Sequence, residues 1–263
     1  MAQINSPFSF TGSLQNLSAY KRRGSDKIIL RTKGGATKEQ IQSSPKFELT
    51  RRLNSEFGGC SNACRWIREM LSPFKPITDF NLVGPINSLL KGIQVLDTES
   101  ELGRRQVQLS RNPRLLEGFN FNRAHLFESI VQNPVYHTLN KALLQATVNI
   151  PALLPDMNFV PPGNFPLYRF MVSLSVVPDW VYTDMGYRMN GDYSKAVPVH
   201  IYTDWFQTGN ESPSIQLELQ MPHQPVADSF SCMLALGIGF GIMKYGEIRP
   251  VKYMGGGKIV AVG

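Results

Sequence analysis

Two cysteines stand four residues apart, a spacing that brings side chains to one face of a helix, so metal chemistry is considered first. They are Cys60 and Cys64, and the chain has one further cysteine, Cys232. A structural zinc site takes about four Cys or His ligands, usually as two closely spaced pairs. The histidines supply no second pair, because they are scattered at His125, His137, His200 and His223. We therefore predict no metal site.

Two glycine-rich stretches resemble fragments of nucleotide-binding loops. Gly237-Ile238-Gly239-Phe240-Gly241 has Ile242 where a dinucleotide fingerprint needs its next glycine, and no helix pattern follows. Gly255-Gly256-Gly257-Lys258 is followed by Ile259 where a phosphate loop needs Ser or Thr. We interpret the first stretch as a strand with one bulky and one thin face, open to the close approach of another layer. The second is interpreted as a turn before a last strand.

The remaining titratable residues form no recognisable catalytic set. His200 lies near Asp204 in sequence, but no nucleophile elbow of the form G-x-S-x-G accompanies them. The acids Asp179, Asp184 and Asp192 lack the ligand spacing of a calcium loop. We predict no catalytic residue and no cofactor, and therefore a protein that is not an enzyme.

A basic set near the N-terminus is the best candidate for contacts with nucleic acid or another acidic partner. Tyr20 lies among these cations, and a two-stranded basic ribbon can enter a major groove or follow phosphates. Six charges around a turn are also typical of a solvated hairpin tip. The set consists of Lys21, Arg22, Arg23, Lys27, Arg31 and Lys33.

The same segment predicts a β-hairpin arm over residues 8–33. Leu14, Leu17 and Tyr20 occupy a first extended segment, residues 23–26 form the turn, and residues 27–33 form the return strand. An isolated hairpin is marginally stable in water. The arm must therefore pack on something, and the candidate assembly contacts are Ile28, Ile29 and Leu30.

Helix signals follow the arm. Thr37 and Gln40 fit a capping box, and Ser44-Pro45 fits the start of a longer helix. In that helix a spacing of four puts three apolar residues on one face, which we expect to be buried: Leu49, Leu53 and Phe57. The pair Gly58-Gly59 predicts its end. A second helix is predicted over residues 61–71, a third is predicted after Gly84-Pro85, and residues 104–110 suggest a short strand.

This N-terminal part resembles a protein family of Bacteroidota to which no activity is assigned. The resemblance covers about the first sixty residues and implies a defined N-terminal module, without an activity or site residues. The matching residues are Gly12-Ser13-Leu14-x-Asn16-Leu17-x-x-Tyr20-Lys21, Lys33-Gly34-Gly35 and Ser44-Pro45-x-Phe47-x-x-Thr50-Arg51-x-x-Asn54-x-Glu56-Phe57-Gly58.

From about Leu143 the pattern changes to an alternation of apolar and small or polar residues. The alternation runs through residues 168–176, 215–220 and 234–242, with further strands at 197–206 and 259–262. Strands that follow one another without helices between them predict an antiparallel, β-sandwich-like domain. Its core is expected to contain Phe170, Leu174, Leu217, Leu236 and Phe240.

Charge is distributed unevenly. The net charge is +7, and residues 1–72 contain twelve Lys or Arg against five Asp or Glu. Such a basic end suggests nucleic acid, an acidic surface or a complementary subunit as partner. Charged residues make up only 18% of the chain and apolar residues 42%, which favours surface buried in an assembly. No signal peptide or membrane span is expected, which favours the cytoplasm.

Together these patterns predict an α+β protein with three regions: an arm over 1–36, a mainly helical region over 37–142 and an antiparallel β-domain over 143–263. The favoured function is a non-enzymatic structural protein that self-assembles into an ordered homo-oligomer, such as a filament, a tube or a phage-like particle. The alternative is a nucleic-acid-binding protein that uses the basic hairpin.

Overall fold

A computed structural model describes residues 2–4, 10–21 and 27–263, and for residues 2–4 it describes the backbone only. The chain forms two compact units, Met1–Arg51 and Arg52–Gly263. The α+β class is confirmed, with a hairpin near the N-terminus and antiparallel sheets in the C-terminal part. The second unit contains both helices and sheets, and the predicted boundaries at residues 36 and 142 stay predictions.

The first unit contains a four-stranded antiparallel sheet in the order β1-β4-β3-β2. The first extended segment predicted for the arm turns at Gln15 and Asn16, where Gln15 has a φ of 47°, and so supplies two strands. The predicted turn at residues 23–26 lies outside the described residues. The strands are β1 (Ala2–Ile4), β2 (Gly12–Leu14), β3 (Leu17–Lys21) and β4 (Ile28–Thr32).

The short helix α1 (Lys38–Ser43) begins with the capping box expected from the sequence. The backbone N–H of Gln40 donates to Thr37 Oγ1 at 3.2 Å, and the N–H of Thr37 donates to Gln40 Oε1 at 2.9 Å. Ser44-Pro45 opens a single 3₁₀ turn, Pro45–Phe47, without a side-chain cap from Ser44. The long helix α2 (Glu48–Met70) follows directly.

The helix end predicted at Gly58-Gly59 is wrong, because α2 continues through both glycines to Met70. The two predicted helices are therefore one. A Cβ at Gly59 would lie 2.6–2.8 Å from three ring carbons of Tyr187, whereas a Cβ at Gly58 would meet nothing within 4 Å. Gly59 thus lets the Tyr187 ring approach the helix backbone, which is a packing role rather than a terminating one.

The buried face expected for this helix is also wrong. Leu49, Leu53 and Phe57 are 57%, 43% and 59% exposed. Burial begins only at Glu56 and continues towards Met70, so the buried face belongs to the later turns of the helix. Small residues there allow close contact, and the one charged residue is fully paired. The buried residues of α2 are Glu56, Gly59, Cys60, Ala63, Cys64, Ile67 and Met70.

The two adjacent glycines of α2 give a matched test of this packing. Gly58→Ala should stabilise the protein by about 1 kcal/mol, because alanine favours the helix and the space is open. Gly59→Ala gains the same propensity but must displace Tyr187, whose hydroxyl is held by a 2.8 Å hydrogen bond to the carbonyl of Arg105. Overpacking typically costs about 1–3 kcal/mol. Urea unfolding should therefore show Gly59→Ala to be the less stable variant; equal gains for both would contradict the packing.

The third predicted helix is confirmed as α3 (Val83–Val95), with Ile86, Leu90 and Ile93 buried. The strand expected over residues 104–110 is reduced to a single bridge between Val107 and Trp180. The remaining helical pieces are the 3₁₀ segments Ser72–Ile77, Leu109–Arg111 and Pro113–Leu116 and the short helix α4 (Phe127–Ile130).

The β-strands of the second unit are all paired antiparallel in named sheets. The large sheet has the order β10-β7-β13-β14 with β11 beside β7, the small sheet has the order β12-β6-β5, and β8 pairs with β9. The strands are β5 (Tyr136–Asn140), β6 (Gln145–Ile150), β7 (Leu167–Pro178), β8 (Trp180–Thr183), β9 (Gly186–Met189), β10 (Val199–Tyr202), β11 (Phe206–Gln207), β12 (Ile215–Gln220), β13 (Phe230–Lys244) and β14 (Glu247–Val262).

The large sheet lies between the small sheet and the helices. Its even-numbered residues on β7 and β13 face the small sheet and form one apolar core, whereas Met171, Met233 and Ala235 face the helical layer and belong to a second core. The predicted core residues are confirmed: Phe170, Leu174, Leu236 and Phe240 are fully buried, and Leu217 packs partly buried against them. Alternation with a period of two therefore identified the correct face of each strand.

The thin face predicted for the glycine-rich strand is confirmed. A Cβ at Gly237 would lie 3.0 Å from side-chain atoms of Phe74 and Ile77, and a Cβ at Gly257 on the neighbouring strand would lie 3.0 Å from Ile77 and Phe121. The glycines thus allow the segment Ser72–Ile77 to sit directly on the sheet. Among the described residues, no helix is long and apolar enough to cross a membrane.

Candidate assembly surface and buried ion centre

The N-terminal sheet has one apolar face, which the strand register defines. Residues paired directly across an antiparallel sheet project to the same side. Leu14 pairs with Leu17, Ala19 pairs with Leu30, and Lys21 pairs with Ile28. Alternation along each strand then collects the apolar side chains on one side. We call this side the apolar face; it contains Leu14, Leu17, Ala19, Ile28 and Leu30.

The opposite face of the sheet is mostly polar. It carries Ser13, Ser18 and Arg31, together with the pair Tyr20 and Ile29. The guanidinium of Arg31 lies 5.5 Å from the centroid of the Tyr20 ring, within range of a cation–π contact. The three candidate assembly residues are therefore divided: Ile28 and Leu30 lie on the apolar face and Ile29 on the other.

The basic candidates are divided in the same way. Lys21 is in register with Ile28 and so stands at the edge of the apolar face, whereas Arg31 stands on the opposite face. Lys33 follows β4, and its N–H donates to the carbonyl of Asn16. Lys27 precedes β4, and Arg22 and Arg23 lie outside the described residues. The register thus separates Lys21 from Arg31, and the described residues do not show the whole set on one face.

The N-terminal unit buries very little of itself. Among its described side chains only Ala19 is buried, at 2% exposure, and α1 buries none. Leu14 is 59% exposed, and Leu17, Ile28 and Leu30 are partly exposed. A sheet gains most of its stability from the apolar face that it covers. The apolar face is thus a candidate surface for covering by another molecule.

The second unit contains a buried carboxylate that the sequence analysis missed. Glu56 is 0% exposed. Arg105 donates from Nε to Oε1 at 2.6 Å and from Nη2 to Oε2 at 2.7 Å, Lys91 donates to Oε2, and the N–H of Gly103 donates to Oε1 at 2.9 Å. We call these four residues the Glu56 centre. The sequence signal was present, since Glu56 lies one turn before Cys60 on the same helical face, but a Glu on a helix is usually solvated.

A further set of hydrogen bonds surrounds the Glu56 centre. Gln94 donates from Nε2 to the carbonyls of Glu56, at 3.1 Å, and of Arg105, at 2.9 Å. Tyr187 donates to the same Arg105 carbonyl. The centre therefore joins α2, α3, the loop at 103–105 and β9, and every oxygen of the carboxylate has a donor.

The electrostatics of the Glu56 centre favour a charged carboxylate. Burial alone would raise the pKa of Glu56, but hydrogen bonds from Arg105, Lys91 and the Gly103 N–H outweigh it and lower the pKa to about 2. Burial raises the pKa of the neighbouring Cys60 thiol to about 11, so this cysteine stays a neutral thiol. Both oxygens of the Glu56 carboxylate already accept hydrogen bonds, and the neighbouring thiol is protonated. This arrangement is typical of a structural ion pair.

The other residues considered for chemistry are separated by the fold. Cys60, Cys64 and Cys232 are all buried free thiols, and Cys232 belongs to the core on the far side of the large sheet. His200 Nδ1 lies 2.9 Å from Ser173 Oγ, and burial lowers the pKa of this histidine. Within the described ranges, no three His, Cys, Asp or Glu side chains are grouped so that they could hold a metal ion.

Comparison with protein-family models, with curated proteins and with solved structures gives no match for this chain. Its function is therefore inferred from its own contacts.

Proposed function

We propose that this protein is a non-enzymatic structural protein whose copies assemble into an ordered homo-oligomer through the N-terminal unit. The observation that supports this is the apolar face, which presents four large aliphatic residues on a sheet with one buried side chain among those described. Contiguous exposed apolar surface of this kind marks sites of protein association. A second copy of the chain is the partner that is always present at matching concentration.

A second surface supports the same proposal. Leu53 and Phe57 lie one turn apart on α2, and both are more than 40% exposed. Helical residues four apart are neighbours, so these side chains form a continuous apolar strip. The chain thus offers apolar surface on both of its units, as a subunit with several neighbours requires.

Deletion of residues 1–33 tests the proposal. We expect a folded protein that sediments as a monomer, because residues Arg52–Gly263 retain two buried cores while the apolar face is removed. Analytical ultracentrifugation gives the mass, and circular dichroism with thermal melting shows whether the remaining chain is folded. A folded deletion variant that keeps the oligomeric mass of the full chain would contradict the proposal.

Nucleic-acid binding by the basic arm is the second candidate, and the cations between β3 and β4 favour it. The triple reversal Arg22→Glu, Arg23→Glu and Lys27→Glu should then abolish binding to a duplex oligonucleotide. The slope of log affinity against log salt should fall by about 0.9 for each phosphate that the protein no longer neutralises. In the assembly proposal the same reversals leave the oligomeric mass unchanged, because the apolar face contains none of these residues.

A further inference from the structure

Two adjoining cavities on the second unit are lined by cations and aromatic rings. One, of about 270 Å³, is lined by Arg68 and Lys75 together with the aromatic ring of Phe80. The other, of about 420 Å³, is lined by Lys75, Lys252 and Tyr253 between two prolines. Lys75 borders both cavities, and we call the two together the Lys75 groove. The one acid between Lys75 and Phe80, Asp79, accepts hydrogen bonds from the N–H groups of Arg123 and Ala124.

The cations of the Lys75 groove differ from their neighbours on the same elements. On α2, Arg65 pairs with Glu69, whereas on β14 Arg249 pairs with Glu247 and Lys258 with Glu128. Within the part of the chain that the structure describes, Arg68, Lys75 and Lys252 form no ion pair. All three side chains are exposed. Unpaired like charges around one concavity focus a positive potential on it.

A local irregularity of β14 places two of the lining residues. Gly239 pairs with Gly255 and Gly241 pairs with Pro250, so residues 251–254 stand opposite the single residue Phe240. The extra residues form a bulge in β14 that contains Lys252 and Tyr253, both of them exposed. Tyr253 has a φ of 65°, and its carbonyl accepts a 3.0 Å hydrogen bond from Asn122 Nδ2. Tyr253 is thus held in a backbone conformation that costs energy for a residue other than glycine, while the residue is 57% exposed.

The second ring of the groove already accepts a cation on its face. The guanidinium of Arg123 lies 4.2 Å from the centroid of the Phe80 ring. This contact adds a fourth positive charge beside the smaller cavity and leaves Phe80 half-buried. The groove thus alternates charge and aromatic surface from Arg123 and Phe80 through Lys75 to Lys252 and Tyr253.

From this arrangement we propose that the Lys75 groove binds single-stranded nucleic acid. Such ligands are held by a positive groove that follows the phosphates and by aromatic side chains on which bases stack. The exposed Tyr253 ring supplies the stacking surface, and Arg68, Lys75 and Lys252 supply the phosphate contacts. The proposal concerns a site on the second unit and is independent of assembly and of the basic arm.

Fluorescence anisotropy of a labelled dT12 oligonucleotide with the full chain tests the proposal. The pair Lys75→Glu and Lys252→Glu should abolish measurable binding, and each single reversal should reduce the salt slope by about 0.7, because it leaves one phosphate without its cation. Tyr253→Ala should weaken binding by about tenfold or more, with the salt slope unchanged. Arg114→Glu, an exposed reversal outside the groove, is the matched control and should bind as the wild type does.

Several outcomes would overturn the proposal. These are no binding of dT12 by the wild type, full binding by the Lys75→Glu and Lys252→Glu variant, or tighter binding of a duplex of the same length. Competition by polyglutamate as effective as unlabelled dT12, with Tyr253→Ala unchanged, would identify a site for acidic protein segments instead. The triple reversal in the basic arm should leave dT12 binding intact; its disappearance in that variant would assign binding to the arm.

Discussion

Leu14→Asp is expected to convert the assembled protein into monomers. Leu14 is 59% exposed and lies on the edge strand β2, so the substitution removes no internal packing of consequence. In an assembly that covers the apolar face, the same residue is buried. Burial of a leucine contributes about 1.5–3 kcal/mol, and placing a carboxylate there adds a desolvation cost of similar size or larger. A loss of about 4 kcal/mol raises a dissociation constant roughly a thousandfold.

The adjacent residue provides the control for Leu14→Asp. Ser13 is also exposed and lies on the same strand, but alternation places it on the polar face. Ser13→Asp adds the same charge and should leave the oligomeric mass unchanged, as measured by light scattering on both variants. The register also places Leu30 on the apolar face and Ile29 on the other face, so Leu30→Asp rather than Ile29→Asp should dissociate the oligomer. Dissociation by both Ser13→Asp and Leu14→Asp would show a general charge effect and not a specific face.

Glu56→Ala is expected to destabilise the second unit by about 3–5 kcal/mol. Removing one partner of a buried ion pair leaves the other charge without compensation. The side chain of Arg105 is only 17% exposed, and it would lose both of its bonds to the carboxylate. The side chain of Lys91 is 37% exposed, so its ammonium group can be solvated when the carboxylate is removed. Arg105 should therefore account for most of the destabilisation. Urea unfolding followed by tryptophan fluorescence measures the change.

Glu69 provides the control for Glu56→Ala on the same helix. It pairs with Arg65 in the i, i+4 arrangement, and both side chains are more than half exposed. Exposed pairs of this kind contribute about 0.3–0.5 kcal/mol, so Glu69→Ala should be nearly neutral. Equal effects of the two substitutions would mean that the Glu56 centre contributes no more than a surface pair.

The pH dependence of stability follows from the low pKa of Glu56. The pKa is about 2 in the folded protein and 4.5 without its partners, so the folded state binds this proton less readily. The stabilisation is therefore complete above pH 4.5 and is lost as the pH falls through about 2. Glu56→Gln imitates the protonated form, so its deficit relative to the wild type should be constant near neutral pH and shrink in that acidic window. A deficit that is unchanged down to about pH 2 would contradict the assigned pKa.

The alternation of large and small residues made the central sheet predictable. Phe170 and Leu174 on β7, and Leu236 and Phe240 on β13, are buried because a strand buries every second residue against the same layer. Gly237 and Gly239, between Leu236 and Phe240, project to the other side of the strand. They leave room for Phe74 and Ile77, which pack directly on that side. Local periodicity therefore determined both faces of these strands.

The errors in α2 have one physical cause, which is that local rules ignore distant partners. Gly59 has the sequence signature of a helix terminator, but its role is to leave space for the ring of Tyr187, which is distant in sequence. Leu53 and Phe57 have the spacing of a core stripe, but burial of α2 begins at Glu56, whose carboxylate is paired with Arg105 and Lys91. A glutamate can occupy the inner face of a helix only when such donors are present, and no nearby residue indicates them.

The candidate surface was only partly predictable from sequence. The apolar content of Ile28, Ile29 and Leu30 was evident, but their division between two faces depends on the register of β3 with β4. That register also separates Lys21 from Arg31, which a basic ribbon would have placed together. A shift of one residue exchanges the faces of a strand, so the surface could be assigned only after pairing was known.

Multi-angle light scattering of the full-length chain, across a hundredfold range of concentration and at low and high salt, tests the assembly proposal most directly. We expect a mass that is a defined multiple of the single chain and that persists at high salt, because apolar burial rather than charge would hold the copies together. A protein that has the mass of one chain at every concentration and salt would contradict it.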